Sequence, residues 1–393
     1  MKETRFKETE IGYLPIDWEV IPLNKIGSFS KGRGISRAES NTGSIPAVRY
    51  GEIYTVHNDY IKKFYSFIND EIAKSSCSLK YGDILFTASG ETKEDIAKAV
   101  AFIHDGTKAY AGGDIIILSP KIKVSSKFLG YILNTQSVIS QRASKAQGDA
   151  VVHITTNSIA SIKVALPSYT EQKRIADTLS EIDTLISEVG KLIEKKKAIK
   201  HGAMQELLTG KKRLKGFTKP WTKIKLCKVL KYEQPTEYLV SSSEYYNNGT
   251  PVLTAGKTFI LGYTHDTWGV YNNLPVIIFD DFVTESKYVD FPFKVKSSAM
   301  KMLSLRDNKN DLRFVYSLMQ TIDFPMTDHK RYWIKEYSQI EVFLPEPEEQ
   351  KTISKIISNM DNEISYLDSK LSKYIAIKQG MMQQLLSGKI RLK

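Results

Sequence analysis

The sequence predicts a duplicated α/β (α+β) protein. Two mixed bodies of short strands and helices are joined by two long helices, which pair antiparallel as a coiled coil about an internal pseudo-twofold axis. Three observations carry this expectation. A block from Leu166 to Lys215 returns from Leu344 to Lys393 at a constant offset of 178 residues, without a gap and with about half of its positions identical. Each copy has apolar residues at the 3.5-residue period of a coiled-coil seam. The segment ahead of each copy is of domain size and rich in short apolar runs bounded by turn residues.

The repeat comes first, because a missed duplication misassigns the whole fold. Glu171-Gln172-Lys173 matches Glu349-Gln350-Lys351, Gly202 matches Gly380, and Leu207-Leu208 matches Leu385-Leu386. Two unrelated helices can share a heptad by chance, but not these identities in register. The seam of the first copy is Ile175, Leu179, Ile182, Ile186, Val189 and Ile193; that of the second is Ile353, Ile357, Met360, Ile364, Leu367 and Leu371. Pro167 and Pro345 open the helices, where a missing N–H costs nothing, and Gly210 and Gly388 close them, followed by Lys and Arg. A helix of about 40 residues is about 60 Å long at 1.5 Å per residue and needs a partner along its length. The other copy is the expected partner; a plain structural hairpin or a dimerisation coiled coil is the alternative.

The expected divisions are a first body at 1–165, a first helical spacer at 166–215, a second body at 216–343 and a second spacer at 344–393. The bodies themselves correspond. Trp18 follows Gly12-Tyr13-Leu14-Pro15-Ile16-Asp17, and Trp221 follows Gly216-Phe217-Thr218-Lys219-Pro220. Strands are expected at Gly82–Thr87, Ala111–Leu118 and Val276–Asp280, and helices near Lys127–Ser140 and Leu312–Thr321.

Composition narrows the functional class. Lys and Arg number 56 against 44 for Asp and Glu, a net charge of +12, which is the sign a phosphate-facing surface requires. Two cysteines, Cys77 and Cys227, lie far apart, so neither a cysteine-rich zinc site nor a disulfide framework is expected, which suits a reducing cytoplasm. The charged start Met1–Gly12 lacks the apolar core of a signal peptide, and no apolar run reaches the roughly 20 residues of a membrane span. A soluble, intracellular chain is expected.

Motifs of chemistry are missing. No Gly-x-Gly-x-x-Gly fingerprint, phosphate-binding P-loop, nucleophile elbow or Asn-Pro-Pro-aromatic methyltransferase signature occurs, so no cofactor, metal or catalytic residue is expected. Asp280-Asp281 reads as a turn at a strand end, with catalysis the lesser reading. Polar, basic loops are present instead. The residues expected to meet DNA are Lys31, Arg33, Arg37, Lys145, Gln147 and His153 in the first body, and His329, Lys330 and Arg331 in the second. Arg and Lys neutralise phosphates, and Arg, Gln and His can read base edges.

The Leu-Pro opening with its Glu-Gln-Lys, the heptad helix, and the ending Gln205-Glu206-Leu207-Leu208-Thr209-Gly210-Lys211 with Arg213-Leu214-Lys215-Gly216-Phe217 resemble the conserved regions of type I restriction–modification specificity subunits. The resemblance covers the whole chain as variable, conserved, variable, conserved. It implies that each body is a target recognition domain reading one half of a split, asymmetric DNA site, and that the paired helices set the gap. It also implies partners: double-stranded DNA, two modification (methyltransferase) subunits, and restriction subunits that supply nuclease and translocase activity, with no membrane and no catalysis in this chain. One helical turn more or less would change the separation by about 5.4 Å, on the order of one to two base pairs. The alternatives are a coiled-coil adaptor that binds only protein, an enzyme in its own right, and the recognition part of a fused restriction–modification enzyme.

Overall fold

The computed structural model describes residues 5–148, 151–242, 244–254, 258–325 and 331–393. It divides into two compact units, one of residues 1–189 with 370–393 and one of residues 190–369. Each unit takes in one body and parts of both repeat copies.

The centre of the first unit is an antiparallel sheet of β1 (Gly27–Lys31), β2 (Ile84–Thr87), β3 (Ala99–Ala101) and β4 (Ile115–Pro120), in the order β3-β2-β4-β1. β2, β3 and the first four residues of β4 are buried on both faces, whereas β1, Gly27-Ser28-Phe29-Ser30-Lys31 at the edge, is mostly polar and exposed. Side chains alternate across a strand, so Ile84, Phe86, Ile116 and Leu118 enter one core, and Leu85, Val100, Ile115 and Ile117 enter another. The first core is closed by Trp18 and by Phe128, Leu129 and Ile132 of helix α1 (Ser126–Ile132). The second lies on the side of a small sheet in which Ile45–Val48 and Tyr110–Ala111 run parallel.

The helix expected near Lys127–Ser140 is broken in two, Ser126–Ile132 and Gln136–Lys145. Asn134 causes the break. Its side-chain amide pairs with the backbone N–H and C=O of Ala99 on β3, at 3.2 and 2.8 Å, and so behaves as a strand partner. A further short helix, Thr156–Ala160, is capped by the Thr155 hydroxyl.

Running on from the first unit is helix α2 (Tyr169–Leu207), 39 residues long. The second unit repeats the architecture. Strands β5 (Leu230–Glu233), β6 (Val276–Asp280), β7 (Ser286–Val289) and β8 (Met300–Leu305) form an antiparallel sheet in the order β5-β8-β6-β7. β5, β6, β7 and β8 thus stand where β1, β2, β3 and β4 stand in the first unit. The alternation recurs: Ile277, Phe279 and Leu303 pack with Phe314, Val315 and Leu318 of helix α3 (Leu312–Met319), whereas Val276, Ile278, Met300 and Met302 pack with Leu253 and Val295. Thr250–Leu253 and Lys294–Val295 repeat the parallel pair. The second 39-residue helix, α4 (Pro347–Leu385), completes the chain. Both long helices begin two residues after the expected Pro, whose carbonyl is used otherwise, as shown below. Gly210 (φ 71°) and Gly388 (φ 70°) follow the two helix ends in the left-handed conformation that favours glycine.

Repeat-related contacts close each unit with one group from each copy. In the first unit Glu171 binds Arg391 (2.7 Å) and Asp183 binds Lys378 (2.8 Å). In the second, Arg213 binds Glu349 (2.8 Å), Lys196 binds Glu363 (2.7 Å) and Lys200 binds Asp361. Within each unit one residue number falls as its partner's rises, so the helical segments run antiparallel. The Arg391 and Arg213 guanidiniums also lie over the rings of Trp18 (5.8 Å) and Trp221 (5.7 Å). Gln172 and Gln350 do the same work in both units. Gln172 donates to the Pro167 carbonyl and accepts from the N–H of Ser125, which caps α1; Gln350 donates to the Pro345 carbonyl and accepts from the N–H of Asp311, which caps α3.

Of the seam residues, Ile175, Leu179, Ile182, Val189, Ile193, Ile353, Ile357 and Leu367 are buried. Ile186, Met360, Ile364 and Leu371 are half-buried. Among the described residues no helix is long and apolar enough to cross a membrane.

Candidate nucleic-acid interface

Strand register decides which loops share a place. Lys31 at the end of β1 stands opposite Ile116 near the start of β4, and Ile116 stands opposite Phe86 near the end of β2. One end of the first unit's sheet therefore gathers the loop after β1, the Gly112-Gly113 turn before β4, and the 88–98 excursion after β2. The returning residues 151–154 join them, since the Ile154 N–H donates to the Ala88 carbonyl at 3.0 Å.

The loop after β1 is held by its backbone and by one apolar side chain. Gly32 and Arg33 donate to the carbonyls of Ile115 (2.8 Å) and Ala111 (3.3 Å), and a Cβ on Gly32 would meet the Gly112 carbonyl oxygen at 1.9 Å. Ile35, β-branched, adopts φ 59°, a costly conformation that persists only when surroundings impose it. Its side chain is buried with Ala47, Ile68 and Tyr110. With the loop pinned this way, Lys31, Arg33 and Arg37 point to solvent, and among the described residues none of them has an ion-pair partner. Exposed, uncompensated cations on a rigid loop are what a phosphate or a guanine edge would need.

The returning segment is a short ribbon. Gln147 and His153 exchange two backbone hydrogen bonds, of 2.9 and 2.8 Å, and both side chains are exposed. The His153 Nδ1 lies 3.0 Å from the Ser89 hydroxyl, tying the ribbon to the excursion. Lys145 is half-buried at the end of the preceding helix.

Residues that sequence reasoning missed fix the excursion from below. Buried Arg142 donates to the Ala97 carbonyl at 2.7 Å, and burial without a carboxylate partner pulls its guanidinium down to about 10. Lys98 donates to the His57 carbonyl at 2.8 Å, and burial lowers its ammonium as well. The Tyr54 hydroxyl donates to the Ser89 carbonyl at 2.9 Å. These groups line a cleft of about 950 Å³ with Glu94, Asp95 and Lys378. Their one-letter pattern gives no hint of this role, because every contact bridges more than 30 residues of sequence.

The same end of the second unit's sheet is built differently. β6 ends at Asp280, opposite Met300 at the start of β8, and a tight turn leads straight into β7. Asp280 Oδ1 accepts from the N–H groups of Phe282 (2.8 Å) and Val283 (3.3 Å), so this carboxylate is a turn-former. Asp281 is wholly buried. Its Oδ1 accepts from the Trp333 N–H at 2.8 Å, its carbonyl accepts from the Tyr332 N–H at 3.0 Å, and its Oδ2 lies 3.3 Å from the Lys301 ammonium. Lys301, also buried, donates to Gln234 at 3.0 Å. The Tyr332–Asp281 bond is the counterpart of the Ile154–Ala88 bond. Arg331, next to Tyr332, is therefore presented at the equivalent sheet end, exposed and without an ion pair among the described residues. His329 and Lys330 lie outside the described residues.

Three comparisons bear on this arrangement. Residues 15–200 match the family model described as type I restriction modification DNA specificity domain. The EcoR124I/EcoR124II specificity subunit of Escherichia coli is 46% identical over 178 residues, which is 43% of this chain and 44% of that protein. The chain thus spans less than half of that relative in the match, whereas the putative MjaX specificity subunit of Methanocaldococcus jannaschii matches at 28% identity over all of this chain and 98% of its own length. Among solved structures, the S subunit of a type I restriction-modification system from M. genitalium superposes with a TM-score of 0.66 at 16% identity, covering 94% of this chain and 96% of that one. A chain from a structure of type I R-M complex assembly superposes at 0.56 and 15%, covering 96% and 99%. At these identities the structural likeness is one of fold.

Proposed function

We propose that the chain is a type I restriction–modification specificity subunit, like the relatives it matches, and that it reads a bipartite, asymmetric DNA site, one half per body. In this reading 1–165 and 216–343 are the target recognition domains, 166–215 and 344–393 are the spacers, and spacer length sets the unread gap. The chain itself does no chemistry: two modification subunits methylate, and restriction subunits translocate and cleave, in the cytoplasm. The observation that carries the proposal is the repeated sheet end. Each unit presents exposed cations without an ion pair among the described residues at the end of a topologically equivalent sheet: Lys31 and Arg33, with Arg37 further along the same loop, in the first unit and Arg331 in the second. A chain that bound only protein would need neither two such ends nor two divergent bodies. Lys145, Gln147, His153, His329 and Lys330 complete the proposed contacts.

The test is methylome sequencing of cells carrying the modification subunit with and without this chain. One split motif that appears only with the chain, two short halves around a fixed gap, is the expected result. A competent modification subunit that gains no motif would overturn the reading and favour a protein-binding adaptor. Binding by the assembled complex should also weaken linearly in log–log salt plots, because phosphate contacts release counterions.

A further inference from the structure

Between β6 and β7 the chain exposes two neighbouring apolar side chains, Phe282 (40% exposed) and Val283 (42%), at the tip of a turn. Water-facing apolar pairs on a tight turn carry a cost that a polar residue would avoid. The turn is also rigid. The Asp280 carboxylate and carbonyl hold the N–H groups of Phe282, Val283 and Thr284, and the β-branched Thr284 is forced to φ 55°. Such a conformation costs on the order of 1–3 kcal/mol and persists where the surroundings demand it. Directly beneath the tip, the buried Asp281–Lys301 pair anchors both this turn and the segment that presents Arg331. The tip and Arg331 are thus locked into one edge: an apolar pair beside an unpaired cation.

The first unit has nothing comparable at this position. Its 88–98 excursion begins Ala88-Ser89-Gly90-Glu91-Thr92 and offers hydroxyls and carboxylates in place of apolar groups.

Resting on the reading of this chain as a DNA-recognition subunit, we infer that Phe282 and Val283 are specificity-determining residues that read the C5-methyl group of thymine in the half-site served by the second body. The chemistry is selective in that direction. In the major groove, thymine alone presents a methyl group, and apolar side chains such as Phe recognise it by contact. The groove is wide enough to admit a helix or a two-stranded β-ribbon, and so has room for the hairpin turn that joins β6 to β7 at the sheet end. Arg331 at the same edge supplies the phosphate or guanine contact that orients the ribbon. The partial exposure of both side chains fits groove-edge contact better than insertion between base pairs.

The experiment uses the complete complex of this chain with its modification subunits, on duplexes carrying the motif found by methylome sequencing. Each thymine of both halves is replaced in turn by uracil, which removes only the methyl. Methylation rates are compared between the wild-type chain and Phe282→Ala/Val283→Ala. In one half alone, at least one replacement should slow the wild-type complex about fourfold, the effect of one methyl-sized apolar group. The same replacement should leave the variant's rate nearly unchanged, while both complexes keep equal sensitivity to base changes in the other half. That equality also shows the variant to be folded. The inference is overturned if no thymine position behaves this way, if the uracil effect persists undiminished in the variant, or if neither half contains an A·T pair. A wild-type complex that methylates no split motif would overturn the parent reading, which is a distinct result.

Discussion

The two units have the same sheet order and the same closing contacts, yet their sheet ends are finished by different means. The first carries its cations on the pinned loop Lys31–Arg37 and adds a polar excursion held from below by Arg142, Lys98 and Tyr54. The second replaces that excursion with a five-residue turn and a buried Asp281–Lys301 pair. What is shared lies where the two repeat copies meet a body; what differs lies where loops leave the sheet. The division follows from packing. The shared contacts close two buried cores, where any change leaves a cavity or an unpaired group, whereas sheet-end loops can vary without touching either core.

The largest effects should come from the shared contacts, and should be unequal. Glu171 and Glu349 are both buried. Arg391 pairs with Asp17 as well as Glu171, holding the Asp17 carboxyl well below the usual carboxylate range, whereas Arg213 pairs with Glu349 and the Lys219 carbonyl. Removing one member of a buried pair strands the other charge and costs about 3–5 kcal/mol. Arg391→Met should therefore lower stability by about that amount, and Arg213→Met, whose side chain is more exposed, by less. Urea unfolding of the two variants reads the difference; equal losses would mean that the second carboxylate adds nothing.

A pH effect should single out the first unit. His57 is 2% exposed, its Nε2 has no hydrogen-bond partner, and burial lowers its imidazole to about 4 from 6.5. The folded state therefore keeps His57 neutral, while the unfolded chain takes up a proton below pH 6.5. Stability is full above that value and falls as the pH drops toward 4, by at most about 3–4 kcal/mol at 1.36 kcal/mol per unit. In thermal unfolding from pH 7 to 4.5, His57→Gln should flatten the decline of the first unit. An unchanged slope would place the acid sensitivity elsewhere. In the second unit the described histidines, His201 and His265, are both exposed.

A smaller effect tests how the first unit grips its helix. Tyr131 donates to Asp183 at 2.6 Å, and Asp183 also binds Lys378, which is shared with Asp59. Burial alone would pull the Lys378 ammonium down, but the two carboxylates raise it, so it stays charged. In the second unit no tyrosine hydrogen bond to Asp361 is made among the described residues, because α3 has Ser317 in the turn that corresponds to Tyr131. Tyr131→Phe should cost about 1.5–3 kcal/mol, the range for a hydrogen bond to a charged group.

Much of this was legible in the sequence. The constant offset, the heptads and the short apolar runs bounded by turn residues specify both helices and the central sheet strands, because these depend on local pattern. The expected contacts Lys31, Arg33, Gln147 and His153 fall at one sheet end because strand register happens to carry their loops there, which no local pattern states. Asp281 reads as a turn residue, or less favourably a catalytic one, and not as a buried anchor, since its bond to Trp333 spans 52 residues. Gln172 and Gln350 were visible as repeated letters, but their use as ties to the helix caps at Ser125 and Asp311 is a tertiary fact. Asn134 ended a helix for the same reason: its partner on β3 is distant in sequence.

The finest distinction between the two ends is which half of the DNA site each reads. Arg33 and Arg331 are both exposed and unpaired, but they sit at the sheet ends of different units. If each reads a base, alanine at one should relax the motif in one half only, by about 1–3 kcal/mol of discrimination, and alanine at the other should relax the opposite half. If either touches only phosphate, its loss should weaken methylation of all sequences alike and reduce the slope of the salt dependence by about one. Methylome sequencing of Arg33→Ala and Arg331→Ala, together with salt titrations of the assembled complexes, separates these outcomes. An unchanged motif, affinity and salt slope for either variant would remove that arginine from the interface. Relaxation of the same half by both would contradict the assignment of one half-site to each unit, and with it the functional meaning of the duplication.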